Sequence, residues 1–186
     1  MSELTFAPAL PYQWAPQDNA LQVANDDPWA SQSTFTLIAG TLYLLKVKVP
    51  FAITISNLRF MSNGAAGAGA STGSFAGVFT PAGLRQAVSA DQGANFTNSF
   101  VPITVPLPAP LLISPPFIWV AVLSNLATTQ PTFASGSGNG NFTNCNLSAA
   151  SYRFCVNGTG LTSIPASITP ASNSLTGNAS IWAGAF

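Results

Sequence analysis

Apolar and polar positions alternate with a period of two along most of this chain, and no stretch sustains the 3.6-residue spacing of an amphipathic helix. Between Thr41 and Val49, residues Tyr43, Leu45, Val47 and Val49 share one face while Lys46 and Lys48 share the other, and Pro50 closes the run. Phe51, Ile53 and Ile55 continue inward, with Ala52, Thr54 and Ser56 outward. The inward set then changes parity to Leu58 and Phe60, which one extra residue would produce, so a β-bulge is expected at Ser56–Asn57. Phe75–Thr80, a turn at Pro81-Ala82-Gly83 and Leu84–Val88 read as a hairpin. Val101–Val105 carries Pro102, which suits an edge or a strand start. Ser151–Val156 and Asn178–Trp182 are expected as closing strands, and Leu161–Pro170 is too proline-broken for a helix.

The stretch that organises the rest is Phe117–Ser124, opened by Pro115-Pro116. It is too short and too flanked by breakers for a helix, so it reads as a central strand. Both of its alternating faces are apolar: Phe117, Trp119, Ala121 and Leu123 on one, Ile118, Val120 and Val122 on the other. A sandwich sheet normally turns one face to water, so a cover for the second face is expected, supplied at least partly by neighbouring molecules. Residues 62–73 (SNGAAGAGASTG) are expected as a loop of small residues that does not pack, and residues 135–140 as a second flexible loop.

Residues 1–32 differ from the rest. Pro8, Pro11, Pro16 and Pro28 alternate with aromatics, a density that favours extended backbone. The pattern predicts an all-β chain, an antiparallel β-sandwich of jelly-roll-like form over 33–186, preceded by an extended arm over 1–32. Phe6, Tyr12 and Trp14 are the arm's expected attachment residues.

Charge sharpens the picture. Only 5% of the 186 residues are charged and the formal net charge is zero, against about 25% charged in ordinary globular domains. So little charge favours burial in an assembly and supplies no basic excess for nucleic acid. Glu3, Asp18, Asp26 and Asp27 precede residue 33 without a single Lys or Arg, whereas all five basic residues follow it with Asp91 alone. The first six residues lack the basic and apolar regions of a signal peptide, and no apolar run approaches the ~20 residues of a membrane helix. The expectation is synthesis in a cytoplasm and no membrane insertion.

Catalytic inventories are thin. The chain has no histidine, removing the usual general base and the commonest metal ligand. Asp91 with Asp26 or Asp27 is the one conceivable carboxylate pair, and Asp27-Pro28 reads more simply as a turn. Gly64, Gly67, Gly69 and Gly73 do not fit a phosphate-binding spacing. Cys145 and Cys155 flank a short loop and either pair or remain reduced, the latter favoured in a cytoplasm. No enzyme, metal or cofactor is expected. The binding chemistry that survives is carbohydrate recognition, an aromatic face beside amides and hydroxyls, with Trp29, Tyr152, Asn139 and Asn141 as candidates. The simpler reading is that such aromatics are core or interface anchors.

Several segments in order resemble a β-sandwich domain of virion proteins from tailed bacteriophages of actinobacteria. They are Leu44–Leu58 (LLKVKVPFAITISNL), Phe75–Phe79 (FAGVF) and Leu84–Gln92 (LRQAVSADQ). Further on come Phe117–Ser124, Thr129–Phe133 (TQPTF), Arg153-Phe154, Gly158–Pro165, Ile168–Pro170 and Trp182-Ala183. The resemblance covers about residues 33–186. It implies a non-catalytic virion component (minor tail, fibre or capsid decoration) located in the virion, a homo-oligomer with a trimer favoured. Other virion proteins would be met through residues 1–32, and host surface carbohydrate is the alternative partner.

Overall fold

The computed structural model describes residues 15–27, 31, 33–64, 66–136 and 139–186. Eleven strands form nearly all of its regular structure: β1 (Val23–Ala24), β2 (Ser33–Thr36), β3 (Tyr43–Lys48), β4 (Ile53–Met61), β5 (Phe75–Phe79), β6 (Arg85–Val88), β7 (Pro102–Ile113), β8 (Phe117–Leu123), β9 (Thr132–Ser135), β10 (Phe154–Val156) and β11 (Ala183–Ala185). One four-residue helix, α1 (Gly140–Thr143), follows β9. The strands pair antiparallel in the orders β1-β11-β4-β7 and β10-β3-β8-β5-β6, with β2-β9 as a small third sheet. No helix among the described residues is long and apolar enough to cross a membrane.

The period-two pattern explains the core. Tyr43, Leu45 and Val47 of β3 and Ile118, Val120 and Val122 of β8 point between the two larger sheets, where they meet Ile55, Leu58 and Phe60 of β4 and Ile103 and Val105 of β7. Burying each such aliphatic side chain fully contributes about 1.5–3 kcal/mol. Aromatic rings close the ends of this layer, Phe35 edge-on to Tyr43 and Phe60 stacked on Phe133.

β8 lies third of five in its sheet, as the apolar run predicts. Its second face is also dry, but the cover is the chain itself. Trp119, Ala121 and Leu123 join Leu42, Leu44, Phe79 and Cys155 in an outer cluster roofed by Ile164 and Ile168, with Leu161 at its margin. The segment 157–176 is thus a strap across the outer face, and it is pinned at both sides. At the β6 edge, Arg85 N donates to Ala166 O at 3.0 Å and Ile168 N to Gly83 O at 2.8 Å. At the β10 edge, Ser174 and Val156 exchange backbone bonds of 2.9 and 3.0 Å. The expectation that neighbouring molecules help to cover this face is therefore corrected, because an intramolecular roof already buries it.

The bulge appears where the parity switch places it. The amides of Ser56 and Asn57 both donate to Phe186 O, at 2.7 and 2.8 Å, and the register of β4 against β7 shifts between Ile55 and Asn57. This also sets the phase of β7, the edge strand. Asn57 directs its N–H and C=O to Phe186, so Pro106 opposite it needs no ladder bond. Ser62 N donates to Val101 O, which leaves Pro102 facing the open side as well. Pro108 and Pro110 fall in the stretch where the ladder is interrupted. Four prolines thus fall where a donor would be idle or would invite a foreign strand.

Other expectations change. Phe51 is 58% exposed rather than inward. The closing strand expected at Asn178–Trp182 forms at Ala183–Ala185, with Ile181 in an isolated bridge to Ser135. The small-residue loop does pack: Gly67 is buried, and a Cβ there would lie 2.3 Å from Leu126. Of the expected arm, residues 1–14, 28–30 and 32 lie outside the described residues, Phe6, Tyr12 and Trp14 among them. The described remainder belongs to the sandwich, since Leu21 and Val23 are buried, β1 pairs with β11 and Pro16–Asn19 is a turn of 3-10 helix rather than extended. Those apolar side chains gain more from the sheet than an isolated arm could offer them.

Candidate functional site

A cleft of about 420 Å³ beside β3 gathers Lys46, Lys48 and Arg153, three of the five basic residues in the chain. Strand alternation puts Lys46 and Lys48 on the same side of β3. The β3–β8 register sets Lys46 opposite Trp119 and Lys48 opposite Phe117. Arg153 arrives from the segment before β10, where its carbonyl accepts from Lys46 N at 2.8 Å. Thr143 of α1, Ser180 and the Asn25-Asp26 turn after β1 complete the walls.

Lys46 is the best-held cation. Its Nζ lies 4.4 Å from the Phe117 ring centroid and 5.0 Å from that of Trp119, and it donates to Ser151 O at 2.9 Å. Burial lowers its pKa below the usual lysine value; Cys155 pulls it back up and the Arg153 charge pushes it down again. Lys48 and Arg153 are exposed, so their charges face water at the rim. The polar walls are mostly self-satisfied. Asn25 Nδ2 donates to Ser180 Oγ and Ile181 O, its Oδ1 accepts from Ala183 N, and Asp26 Oδ1 accepts from Asp27 N. What the cleft offers a ligand is positive charge.

Among the described carbohydrate candidates, Tyr152 stands apart from Asn139. Trp29 lies outside the described residues. Tyr152 is half-buried against the outer core cluster, so its ring serves packing. Asn139 is the N-cap of α1, and its Oδ1 accepts from Asn141 N at 2.8 Å. Asn139 and Asn141 are both exposed, and Asn139 faces a shallow recess with Ser33, Thr34, Ser135 and Asn178 that excludes Tyr152. The exposed aromatic of this region is Phe142, 82% accessible.

The carboxylates resolve into local roles. Asp91 Oδ2 accepts from Gly73 N at 2.5 Å and Ser74 N at 3.0 Å, and its Oδ1 from Gly93 N at 2.8 Å. Such bonding makes it a loop clamp. Among the described residues, no three His, Cys, Asp or Glu side chains group to hold a metal. Cys145 and Cys155 are both free thiols; Cys145 is exposed, while Cys155 lies in the outer core, where burial pushes its pKa up to about 12.

A second recess of about 370 Å³ lies on the outer face of the β4 sheet, lined by Arg59, Met61, Pro102 and Trp182. Arg59 stacks 4.2 Å over the Phe186 ring and bonds Thr104 Oγ1 at 3.4 Å. Its Nε is buried with no partner among the described residues.

No family model, curated protein or solved structure matches this chain. Sequence reasoning passed over the cationic cleft because Lys46 and Lys48 read as ordinary water-facing lysines. The available signal was the scarcity of charge itself: in so neutral a chain, any two cations two residues apart on a strand are worth following.

Proposed function

We propose that this chain is a non-catalytic structural component of a bacteriophage virion: a jelly-roll sandwich carried as a homo-oligomer, most simply a trimer, on the particle exterior. The observation that carries the reading is strand order. With β2, β9 and β10 set aside as additions, the remaining eight strands numbered along the chain lie in the orders 1-8-3-6 and 2-7-4-5. We read that order as a jelly roll, an architecture used by viral capsid and lectin domains. Fold alone does not fix function, so two further features matter.

The segments that resemble phage virion proteins fall on framework elements. FAGVF is β5, LRQAVSADQ runs through β6 to the Asp91 clamp, Phe117–Ser124 is β8, and Gly158–Pro165 with Ile168–Pro170 builds the strap. The exterior is also nearly uncharged and exposes large apolar side chains, among them Phe51, Phe100, Leu112 and Phe142. Such surfaces are stable when partners cover them. Residues 2–14 would then serve attachment, while loops of the sandwich face outward.

Gold-labelled antibody against the chain should decorate phage particles at a fixed location, and deleting residues 2–14 should leave a folded domain that no longer joins them. Absence of the chain from purified particles would overturn the reading. Recognition of host-envelope glycans is the second reading, and the cationic cleft favours it.

A further inference from the structure

We infer that the cleft between β3, α1 and the segment before β10 binds an acidic polysaccharide, one whose carboxylates repeat along the chain. This deepens the glycan-binding reading and is independent of where the protein sits on a particle.

The argument begins with charge economy. A chain with five basic residues places three of them on one cleft, where mutual repulsion opposes their approach. Burial is the main cause that disfavours the protonated form of Lys46; Cys155 opposes it, and Arg153 adds a smaller contribution in the same direction as burial. Against three cations the lining sets one carboxylate, Asp26, which leaves the cleft net positive and suited to an anionic counterpart.

The shape of the cluster narrows the ligand. Lys46 and Lys48 are two residues apart on one strand, about 6.5–7 Å along it. Arg153 lies beside them on the neighbouring segment, since its carbonyl bonds the Lys46 amide. Lys46 and Arg153 stand on paired segments with Lys48 two residues further along the strand, and cations spread in this way suit a polymer with spaced charges better than a single phosphate. Nucleic acid is disfavoured by the zero net charge and by Phe117, whose ring already carries the Lys46 ammonium and meets Trp119 edge-on. A sugar also needs an exposed aromatic face. Phe142, next to the cleft-lining Thr143 on α1, is one. Asp26 on the same wall contributes a negative charge that would select against densely charged polymers.

Affinity electrophoresis of the full chain tests this, in gels containing alginate (a polyuronate), dextran (a neutral glucan), or a single-stranded oligonucleotide bound to the matrix. We expect retardation in alginate alone, weakening as salt is raised. Lys48→Gln with Arg153→Gln should raise the apparent dissociation constant by about tenfold, with an unchanged circular dichroism spectrum. Arg85→Gln, which removes the same type of charge elsewhere, should leave retardation as in the wild type once mobility is referred to the dextran gel. Phe142→Ala should weaken binding without changing its salt dependence. No retardation in alginate, equal retardation in dextran, retardation unaffected by the Lys48 and Arg153 changes, or stronger retention by the oligonucleotide would each overturn the proposal. Particle labelling is unaffected by any of these results, so failure here and failure of the virion reading are separately visible.

Discussion

The carboxylate of Asp91 accepts a 2.5 Å hydrogen bond from the amide of Gly73, eighteen positions earlier in the chain. The same oxygen takes the amide of Ser74, and the other oxygen takes that of Gly93. Three amides of buried residues therefore depend on one exposed side chain. Asp91→Ala should lower unfolding stability by about 2 kcal/mol in urea titration, because water can replace only part of this bonding. Asp91→Asn, which keeps a carbonyl acceptor, should lose less. Equal stability of all three proteins would show that the clamp contributes nothing.

The strap should detach before the sandwich melts. Gly83 has φ of +89°, and a Cβ there would sit 2.2 Å from the Ile168 carbonyl oxygen. Gly83→Ala should therefore cost about 1–3 kcal/mol by strain and move the strap off the β5–β6 turn. Ile164→Ala should cost about 2–5 kcal/mol through the cavity it leaves. Because both act on one segment, the double variant should cost less than the sum of the two. Limited proteolysis checks the location: cleavage between Leu161 and Pro170 should accelerate in each variant while the remaining strands stay protected.

Alkali should destabilise the protein through Cys155. Its thiol titrates near 9 when unfolded and at about 12 when folded. Between those values the folded state holds a proton that the unfolded state has lost. Stability is thus fully present below pH 9 and falls above it, by up to about 1.4 kcal/mol per pH unit. Tyr43, raised by burial, adds in the same direction, whereas Lys46, lowered by burial, opposes it. Denaturation midpoints measured from pH 8 to 11 should fall more steeply for the wild type than for Cys155→Ala. Parallel curves would refute the assignment. A thiol reagent applied to the native protein should modify Cys145 and spare Cys155.

The proline-bearing edge of β7 should block strand addition. Pro102 and Pro106 face the open side, as the Ser62–Val101 and Asn57–Phe186 bonds require. Replacing both by Thr restores two outward donors without disturbing the β4 ladder. Sedimentation velocity should then reveal concentration-dependent species larger than those of the wild type. Identical distributions would mean that the prolines serve only local conformation.

Much of the framework was legible because strand periodicity is a local property. The parity change after Ile55 located the bulge, and the double-sided apolar run located the central strand, since each follows from which neighbours face one way. Tyr152 was misjudged for the converse reason. Tyr152 looked like a ligand-facing aromatic beside Asn-rich sequence, yet it packs against the outer core cluster, whose members are drawn from as far along the chain as Leu42.

The sequence by itself determined an all-β chain, the positions of most strands, the bulge and the poverty of catalytic side chains, all consequences of residue type and short-range alternation. Only the tertiary structure decided what covers the second face of β8, because Leu161, Ile164 and Ile168 form a roof solely when both sheet edges pin the strap. It likewise decided that Lys46, Lys48 and Arg153 share a cleft, since Arg153 lies beyond a hundred positions from the lysines and only the β10–β3 register brings it there. Charge repulsion and apolar burial act through space: residue type announces that a face is apolar or cationic, and only the fold says which distant residues meet it.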